Sequence, residues 1–248
     1  MTAGHTPTRV ACTIIDSNYA PQARVMAGSY LQHHPDHRFV TLLIDTDLGE
    51  QPAMDLPGEV FTLADLALPE PQLRQMMAIY DVLEFATALK AALLQRLVKE
   101  HRSALYLDPD MLLLGRLDDM FDAAEATGIA LTPHVLTPLP RDGLEPAEDR
   151  IRHSGIFNLG MVAVGQGGRE FLAWWAERLA TEAVVDLPRA LFTDQRWVDW
   201  APALWEPTVL RDPGLNVAYW NLHERPLNLV DGVLHAGGAR VRLMHFSG

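Results

Sequence analysis

The sequence predicts an α/β fold built on a mostly parallel sheet flanked by helices, and three observations predict it. Val10 to Ile15 is a short β-prone run that ends at Asp16, and Phe39 to Ile44 is a second that ends at Asp45. Between them lies a stretch of helical composition running to about His33. Strand, helix, strand with acidic or polar residues at the strand ends is the pattern of a parallel sheet, whose ligand crevice lies at the carboxyl ends of its strands. Third, Leu105-Tyr106-Leu107-Asp108-Pro109-Asp110-Met111-Leu112-Leu113-Leu114 sets two carboxylates, one residue apart, between two apolar runs. An apolar run bounded by charge reads as a buried strand, so Asp108 and Asp110 emerge where that strand ends.

The elements follow in order. Ser17-Asn18-Tyr19-Ala20-Pro21 breaks the first strand before the first helix. Residues 69 to 101 have helical composition, and Ser103 to Leu107 supplies the strand leading into the paired aspartates. Prolines and charges between Thr132 and Arg152 predict a long loop near the site. Ile156 to Val164 returns to the sheet, Gly168 to Glu182 is a Trp-containing helix, and Thr193 to Ala201 reads as another. Val241 to Met244 is a last strand-like run, directly before His245-Phe246-Ser247-Gly248. With no repeat and no linker, residues 1–248 read as one domain. A chain that stops just after a strand reads as the N-terminal part of a longer protein, with a C-terminal portion still to follow.

Composition narrows the class. Apolar residues are 48% and charged residues 21%, which favours a globular chain able to bury a substantial core. A formal charge of −12 argues against a partner bound through non-specific contacts with nucleic acid or anionic lipid. Cys12 is the only cysteine, so an internal disulfide framework is excluded. No apolar run approaches the ~20 residues of a membrane span, and the polar start from Met1 to Arg9 has no secretory core. The expected location is cytoplasmic.

Asp108-Pro109-Asp110 supports more than one reading. Hard divalent cations take oxygen ligands, and Mg²⁺ is commonly held by one or two carboxylates together with substrate phosphates. The same tripeptide is good turn chemistry, since Asp bonds nearby backbone and Pro presets φ. A third reading is an aspartyl nucleophile of the haloacid-dehalogenase-like kind, which usually opens its domain and continues with a hydroxyl residue. Here the motif lies mid-chain and continues with Met111 and Leu112, which speaks against it.

Three further features bear on the same chemistry. Asp16-Ser17-Asn18-Tyr19 offers a carboxylate, an amide and an aromatic ring at a strand end, the groups that hydrogen-bond and stack a nucleobase. It also reads as an ordinary strand-to-helix turn with a capping Asn or Ser. Lys90 sits among Ala86, Leu94 and Leu97 at helical spacing, either snorkelling or near a phosphate. His245, at a strand end, offers an imidazole nitrogen to a cation such as Mn²⁺, or is a plain core or surface histidine.

The ordered set Asp16-x-Asn18-Tyr19, Lys90, Tyr106-Leu107-Asp108-x-Asp110, Phe157-Asn158-Leu159-Gly160-Met161, Asp194-Gln195 and His245-x-x-Gly248 resembles glycosyltransferase family 8. That is the retaining GT-A family of bacterial lipopolysaccharide galactosyltransferases and glycogenins. The resemblance runs from residue 10 to the end. It implies a Rossmann-like GT-A domain that moves a sugar from a nucleotide-sugar, a UDP-sugar, to a glycan or cell-surface polysaccharide acceptor with Mn²⁺ or Mg²⁺. By resemblance, Asp16, Asn18 and Tyr19 bind base and ribose, and Lys90 lies near the nucleotide or donor sugar. Asp108 and Asp110 hold the metal with His245, Asp108 also lying near the ribose. Asn158 holds the donor sugar or supports the reacting face, and Asp194 and Gln195 bracket its hydroxyls and anomeric centre.

The chain departs from the family pattern at its end, where a Lys-Pro-Trp tail after the histidine block is absent. Asn216-Val217-Ala218-Tyr219-Trp220-Asn221-Leu222 resembles the acceptor-side region of related bacterial enzymes, and core packing explains its aromatics equally well. Two competing functions stand beside the transferase. One is a sugar-nucleotidyltransferase, which normally carries a Gly-rich basic loop near its first strand; Ala11 to Arg24 has none. The other is a nucleotide-sugar or glycan-binding module without turnover.

Overall fold

The computed structural model describes residues 8–46 and 54–247. The polar start up to residue 7 and Gly248 of the terminal block therefore lie outside the described residues. Strands β1 (Arg9–Ile15), β2 (Arg38–Leu43), β3 (Glu59–Phe61), β4 (Ser103–Leu107), β6 (Ile129–Pro133), β7 (Phe157–Gly165) and β10 (Thr208–Val209) form one sheet in the order β10-β6-β7-β4-β1-β2-β3. The pairs β10–β6, β4–β1, β1–β2 and β2–β3 are parallel, and β7 runs antiparallel to both its neighbours. The sheet is thus mostly parallel, with one reversed strand in the middle.

Side chains alternate across a strand, and here the alternation builds two cores. Val10, Cys12 and Ile14 of β1, Ala104 and Tyr106 of β4, and Val162 and Val164 of β7 face one side. Ala11, Leu105, Leu107, Met161 and Ala163 face the other. Both faces are apolar, which is why these strands read as unbroken hydrophobic runs. Helices α2 (Glu70–Ile79), α3 (Val82–Ala88), α4 (Lys90–Leu97) and α7 (Arg169–Leu179) cover the first face with Leu73, Met76, Phe85, Leu93, Phe171 and Trp175. Helices α1 (Ala20–His33) and α5 (Asp118–Thr127) cover the second with Met26, Tyr30, Met120 and Phe121.

Two helical expectations are corrected. The stretch 69 to 101 is three helices, α3 passing into α4 at Leu89, and the sharper break comes earlier, where Tyr80 turns extended and Asp81 starts afresh as an N-cap. Its carboxylate accepts the Glu84 N–H at 2.8 Å while Glu84 accepts the Asp81 N–H at 3.2 Å, a reciprocal capping box. Helix α4 begins at Lys90, just after Leu89. The stretch Thr193 to Ala201 is also interrupted. Thr193 has φ of +46°, so no helix starts on it, and only α8 (Gln195–Val198) and α9 (Ala201–Leu204) form. The long loop after β6 carries α6 (Glu148–Ser154) at its end.

Smaller strands finish the fold. Strand β5 (Met111–Leu113) pairs antiparallel with β14 (Leu243–His245), β8 (Val185–Asp186) pairs with β9 (Leu191–Phe192), and β11 (Leu227–Val230), β12 (Val233–Ala236) and β13 (Ala239–Arg240) make a separate sheet. The β5–β14 ribbon is the element that matters for the site.

Candidate active site

The ends of β1, β2 and β4 leave the sheet on the same edge, since Cys12 lies beside Tyr106 and Ile15 beside Leu43 in parallel register. Asp16, Asp45 and Asp108 follow those ends. Pro109 turns the chain back at once into β5, whose Met111 pairs with His245 of β14, while the Phe246 N–H donates to the Asp110 carbonyl at 2.9 Å. The ribbon thereby closes the far end of the chain onto Asp108 and Asp110. One ligand atom from each of Asp108, Asp110 and His245 lies within 4.8 Å of the others.

Gly160 of β7 makes this closure fit. A Cβ there would lie 2.6 Å from His245 Cε1, 2.7 Å from Asp108 Oδ2 and 2.8 Å from Met111 Cε. All three contacts are shorter than a real methyl tolerates, and two fall on the cluster itself. Gly160→Ala is expected to leave a folded protein whose Mn²⁺ affinity falls at least tenfold, read by paramagnetic titration; wild-type affinity would show that the cluster does not need this close approach.

The donor set fits a divalent cation. His245 Nδ1 hydrogen-bonds Asn216 Oδ1 at 3.0 Å, so that nitrogen carries the ring proton and the Nε2 lone pair points at Asp110 Oδ1, 3.2 Å away. That carboxylate oxygen is buried and has no hydrogen-bond partner among the described residues. Two lone pairs face each other, and positive charge between them satisfies both, as a proton or as a metal. Asp108 Oδ2, 3.9 Å from Nε2, turns to the same point, which suits a metal ion taking three donors. Burial pushes the Asp110 carboxyl up, but when the positive charge is a proton on His245, its hydrogen bond and charge outweigh that burial and hold the pKa below the ordinary value.

Beside this cluster Lys90 is buried in carboxylates rather than snorkelling. Its ammonium lies 3.2 Å from Asp194 Oδ2 and 3.5 Å from Asp108 Oδ1, donates to the Leu159 carbonyl at 3.0 Å, and sits 4.5 Å above the Tyr106 ring. Burial acts to lower the Lys90 pKa, and the two aspartates more than reverse it, so the amine stays protonated. Burial raises the Asp194 pKa, with Lys90 only partly offsetting it. Asp108 thus lies between Lys90 on one side and the His245 imidazole on the other.

Gln195 and Asn158 are held by protein. Gln195 Oε1 accepts the Leu159 N–H at 2.9 Å and its amide donates to the Ser154 carbonyl at 2.7 Å. Asn158 Oδ1 accepts from Asn216 at 2.8 Å and from the Gly160 N–H at 3.2 Å. Asp16 and Asn18 line a cavity of about 280 Å³ with Ile44, Asp45, Met77, Tyr80, Asp81, Val82 and Phe85. Asp16 also caps its turn, accepting the Asn18 N–H at 2.7 Å, so the capping and binding readings of that residue are compatible. Tyr19 is exposed and does not line the cavity.

A second histidine cluster, His34, His37 and Asp118, lies on the other face of the sheet. His34 Nε2 accepts the Leu117 N–H at 3.0 Å, which puts the ring proton on Nδ1 and leaves the neutral imidazole no lone pair for a cation. Its packing role has a pH consequence. Burial pushes His34 down to about 4, and His134 likewise to about 4. Below ~6.5 the unfolded imidazoles take up protons that the folded ones refuse, so stability falls as pH drops from there toward 4. Urea midpoints at pH 7 and 4.5 check this; His34→Gln, which keeps an acceptor for Leu117, is expected to flatten part of the fall.

The structure therefore gathers Lys90, Asp108, Asp110, Asn158, Asp194, Gln195 and His245 around one sheet edge, with Asp16 and Asn18 in a neighbouring cavity. Sequence reasoning missed Asn216, His134 and Asp45. Asp45 carried a signal as an acid closing a strand, and Asn216 lay in the segment that resembles an acceptor-side region.

No protein-family model matches the chain. It is 24% identical over 250 residues to the uncharacterized protein YfnF of Bacillus subtilis (strain 168), covering 97% of this chain and 82% of that one. It is 24% identical over 245 residues to YfnD of the same strain, likewise uncharacterized, covering 95% and 76%. Among solved structures it resembles galactosyltransferase LgtC in complex with donor and acceptor sugar analogs, with a TM-score of 0.58, 15% identity, and coverage of 96% of this chain and 87% of that one. It also resembles apo mouse xyloside xylosyltransferase 1, with a TM-score of 0.54, 14% identity, and coverage of 96% and 98%. The fold is the GT-A type that the sequence predicts.

Proposed function

We propose that this chain is a metal-dependent retaining glycosyltransferase that moves a sugar from a UDP-sugar to a glycan or cell-surface polysaccharide acceptor. One observation carries the reading: the buried, unpartnered Asp110 Oδ1 faces the His245 lone pair at a sheet edge that also offers Lys90 and a cavity lined by Asp16 and Asn18. Asp108, Asp110 and His245 would hold Mn²⁺ or Mg²⁺, which as a Lewis acid stabilises a leaving diphosphate without a proton donor. Lys90 adds a fixed positive charge on the same side, and its pairing with Asp108 and Asp194 keeps it in place. Asp16 and Asn18, with the exposed Tyr19 beside them in sequence, would take the base and ribose. Asp194 and Gln195 would bracket the donor sugar, Gln195 chiefly by fixing the backbone at Leu159 and Ser154. Gln195 is a poor nucleophile, so retention is assigned to attack on the face of the departing phosphate, which itself takes the acceptor proton.

The test is a thermal-shift screen of UDP-, GDP- and TDP-sugars with Mn²⁺, followed by assay of nucleotide release. Stabilisation by a UDP-sugar only with metal, and slow UDP release without acceptor, are expected. Metal-dependent binding with neither release nor transfer over long incubation would make the domain a binding module instead.

A further inference from the structure

We infer that Asn158, which does not touch His245, sets which nitrogen of that histidine faces the metal, acting through Asn216 as a positioning residue. The Gly160 N–H can only donate, so the Asn158 side-chain atom 3.2 Å from it is the oxygen. The Asn216 atom 2.8 Å from that oxygen must then be the amide nitrogen, which leaves Asn216 Oδ1 pointing at His245 Nδ1 at 3.0 Å. An amide oxygen only accepts, so His245 carries its proton on Nδ1 and presents the Nε2 lone pair. Amide orientation is ordinarily assigned from the surrounding network; here one peptide N–H dictates it.

The other end of the chain agrees independently. Asn158 Nδ2 faces His134 Nε2 at 3.1 Å, which must therefore accept, and His134 Nδ1 faces the Ile156 carbonyl at 3.3 Å, which can only accept. His134 is neutral, as its burial requires. Every link from the Ile156 carbonyl to His245 Nε2 thus has one polarity, set by main chain at the Ile156 carbonyl and at the Gly160 N–H. All four side chains are buried. Trp220 packs edge-on against both rings, 5.1 Å from His245 and 5.6 Å from His134. Asn216 is held at φ of +54°, its carbonyl taken by Asn221 at 3.0 Å. Free histidine favours the opposite tautomer, with the proton on Nε2. A metal-binding histidine needs its second nitrogen to donate to an outer acceptor, and losing such a partner typically costs ~10- to 100-fold in metal affinity.

The consequence for metal rests on the proposed function; the hydrogen-bond polarity does not. In the full chain labelled with ¹⁵N-histidine, His245 Nδ1 is expected to be protonated in the metal-free protein and with Mg²⁺. Asn158→Leu removes the oxygen that orients Asn216, so the proton is expected to move to Nε2 and Mn²⁺ affinity, by electron paramagnetic resonance, to fall ~10- to 100-fold. Asn158→Asp keeps that oxygen, though it loses the donor to His134 Nε2, and is expected to restore both. A merely structural role would lower thermal stability without moving the proton. An unprotonated Nδ1 in the wild type overturns the inference, and needs no variant to fold. Wild-type Mn²⁺ affinity in a folded Asn158→Leu overturns it as well. A protonated Nδ1 in a protein that does not bind Mn²⁺ sinks the metal reading and leaves the polarity standing.

Discussion

Asp110→Asn is expected to abolish Mn²⁺-dependent release of UDP from a UDP-sugar, with a loss of three orders of magnitude or more. The substitution changes no shape, so packing of the β5–β14 ribbon survives. What changes is that the oxygen 3.2 Å from His245 Nε2 loses its charge, and the new amide can rotate to donate a hydrogen bond to that lone pair. The site would then satisfy itself without a cation. Lewis-acid stabilisation of a leaving group is worth several kcal/mol, and each ~1.4 kcal/mol is a factor of ten in rate. The metal-free variant should be at least as stable as the wild type, because two facing lone pairs are replaced by a donor and an acceptor. Unchanged UDP release would remove the metal role of Asp110 and, with it, the reason to read the cluster as catalytic. Lost release together with lost stability would point instead to a ribbon that no longer docks.

Much of this site was legible in the sequence because its signals are local. A strand that ends in Asp-Pro-Asp must place two carboxylates at a sheet edge whatever the rest of the chain does, and Val10–Ile15 with Asp16 repeats the device. Lys90 was half legible: its apolar helical neighbours are real, but the two carboxylates that bury it, Asp108 and Asp194, come from distant segments. His245 was singled out by its place at a strand end, while its partner Asn216 was not, since nothing in Asn216-Val217-Ala218 says which side chain will meet which ring. His134 lay in a stretch read only as loop. The fold shows the same division. Alternating burial gives the strands, but the reversal of β7 is set by which neighbours it finds, and the break at Tyr80 and Asp81 by a capping box inside a run whose apolar spacing never lapses.

Lys90→Met is expected to destabilise the protein by about 3–5 kcal/mol, the usual cost of removing one member of a buried ion pair. Asp194 is only 2% exposed and its Oδ2 has Lys90 at 3.2 Å, so the variant leaves a carboxylate without a counterion in a dry place. The Leu159 carbonyl loses its donor as well. The sign of the pH dependence separates this cause from simple loss of packing. Burial already raises the Asp194 pKa, and without the ammonium it rises further. Between that raised value and the ~3.9 of an unfolded aspartate, the folded state holds the extra proton, so the variant's deficit relative to wild type shrinks as pH falls from neutral toward 4. A packing defect has no such slope. Adding Asp194→Asn should recover most of the loss at neutral pH, because the stranded charge is gone, while activity stays lost if Lys90 serves the donor. Urea denaturation of the wild type and the two variants at pH 7 and 5 measures all of this. A single variant as stable as wild type at pH 7 would mean that Asp194 is already neutral in the native protein, and that Lys90 is held for Asp108 alone.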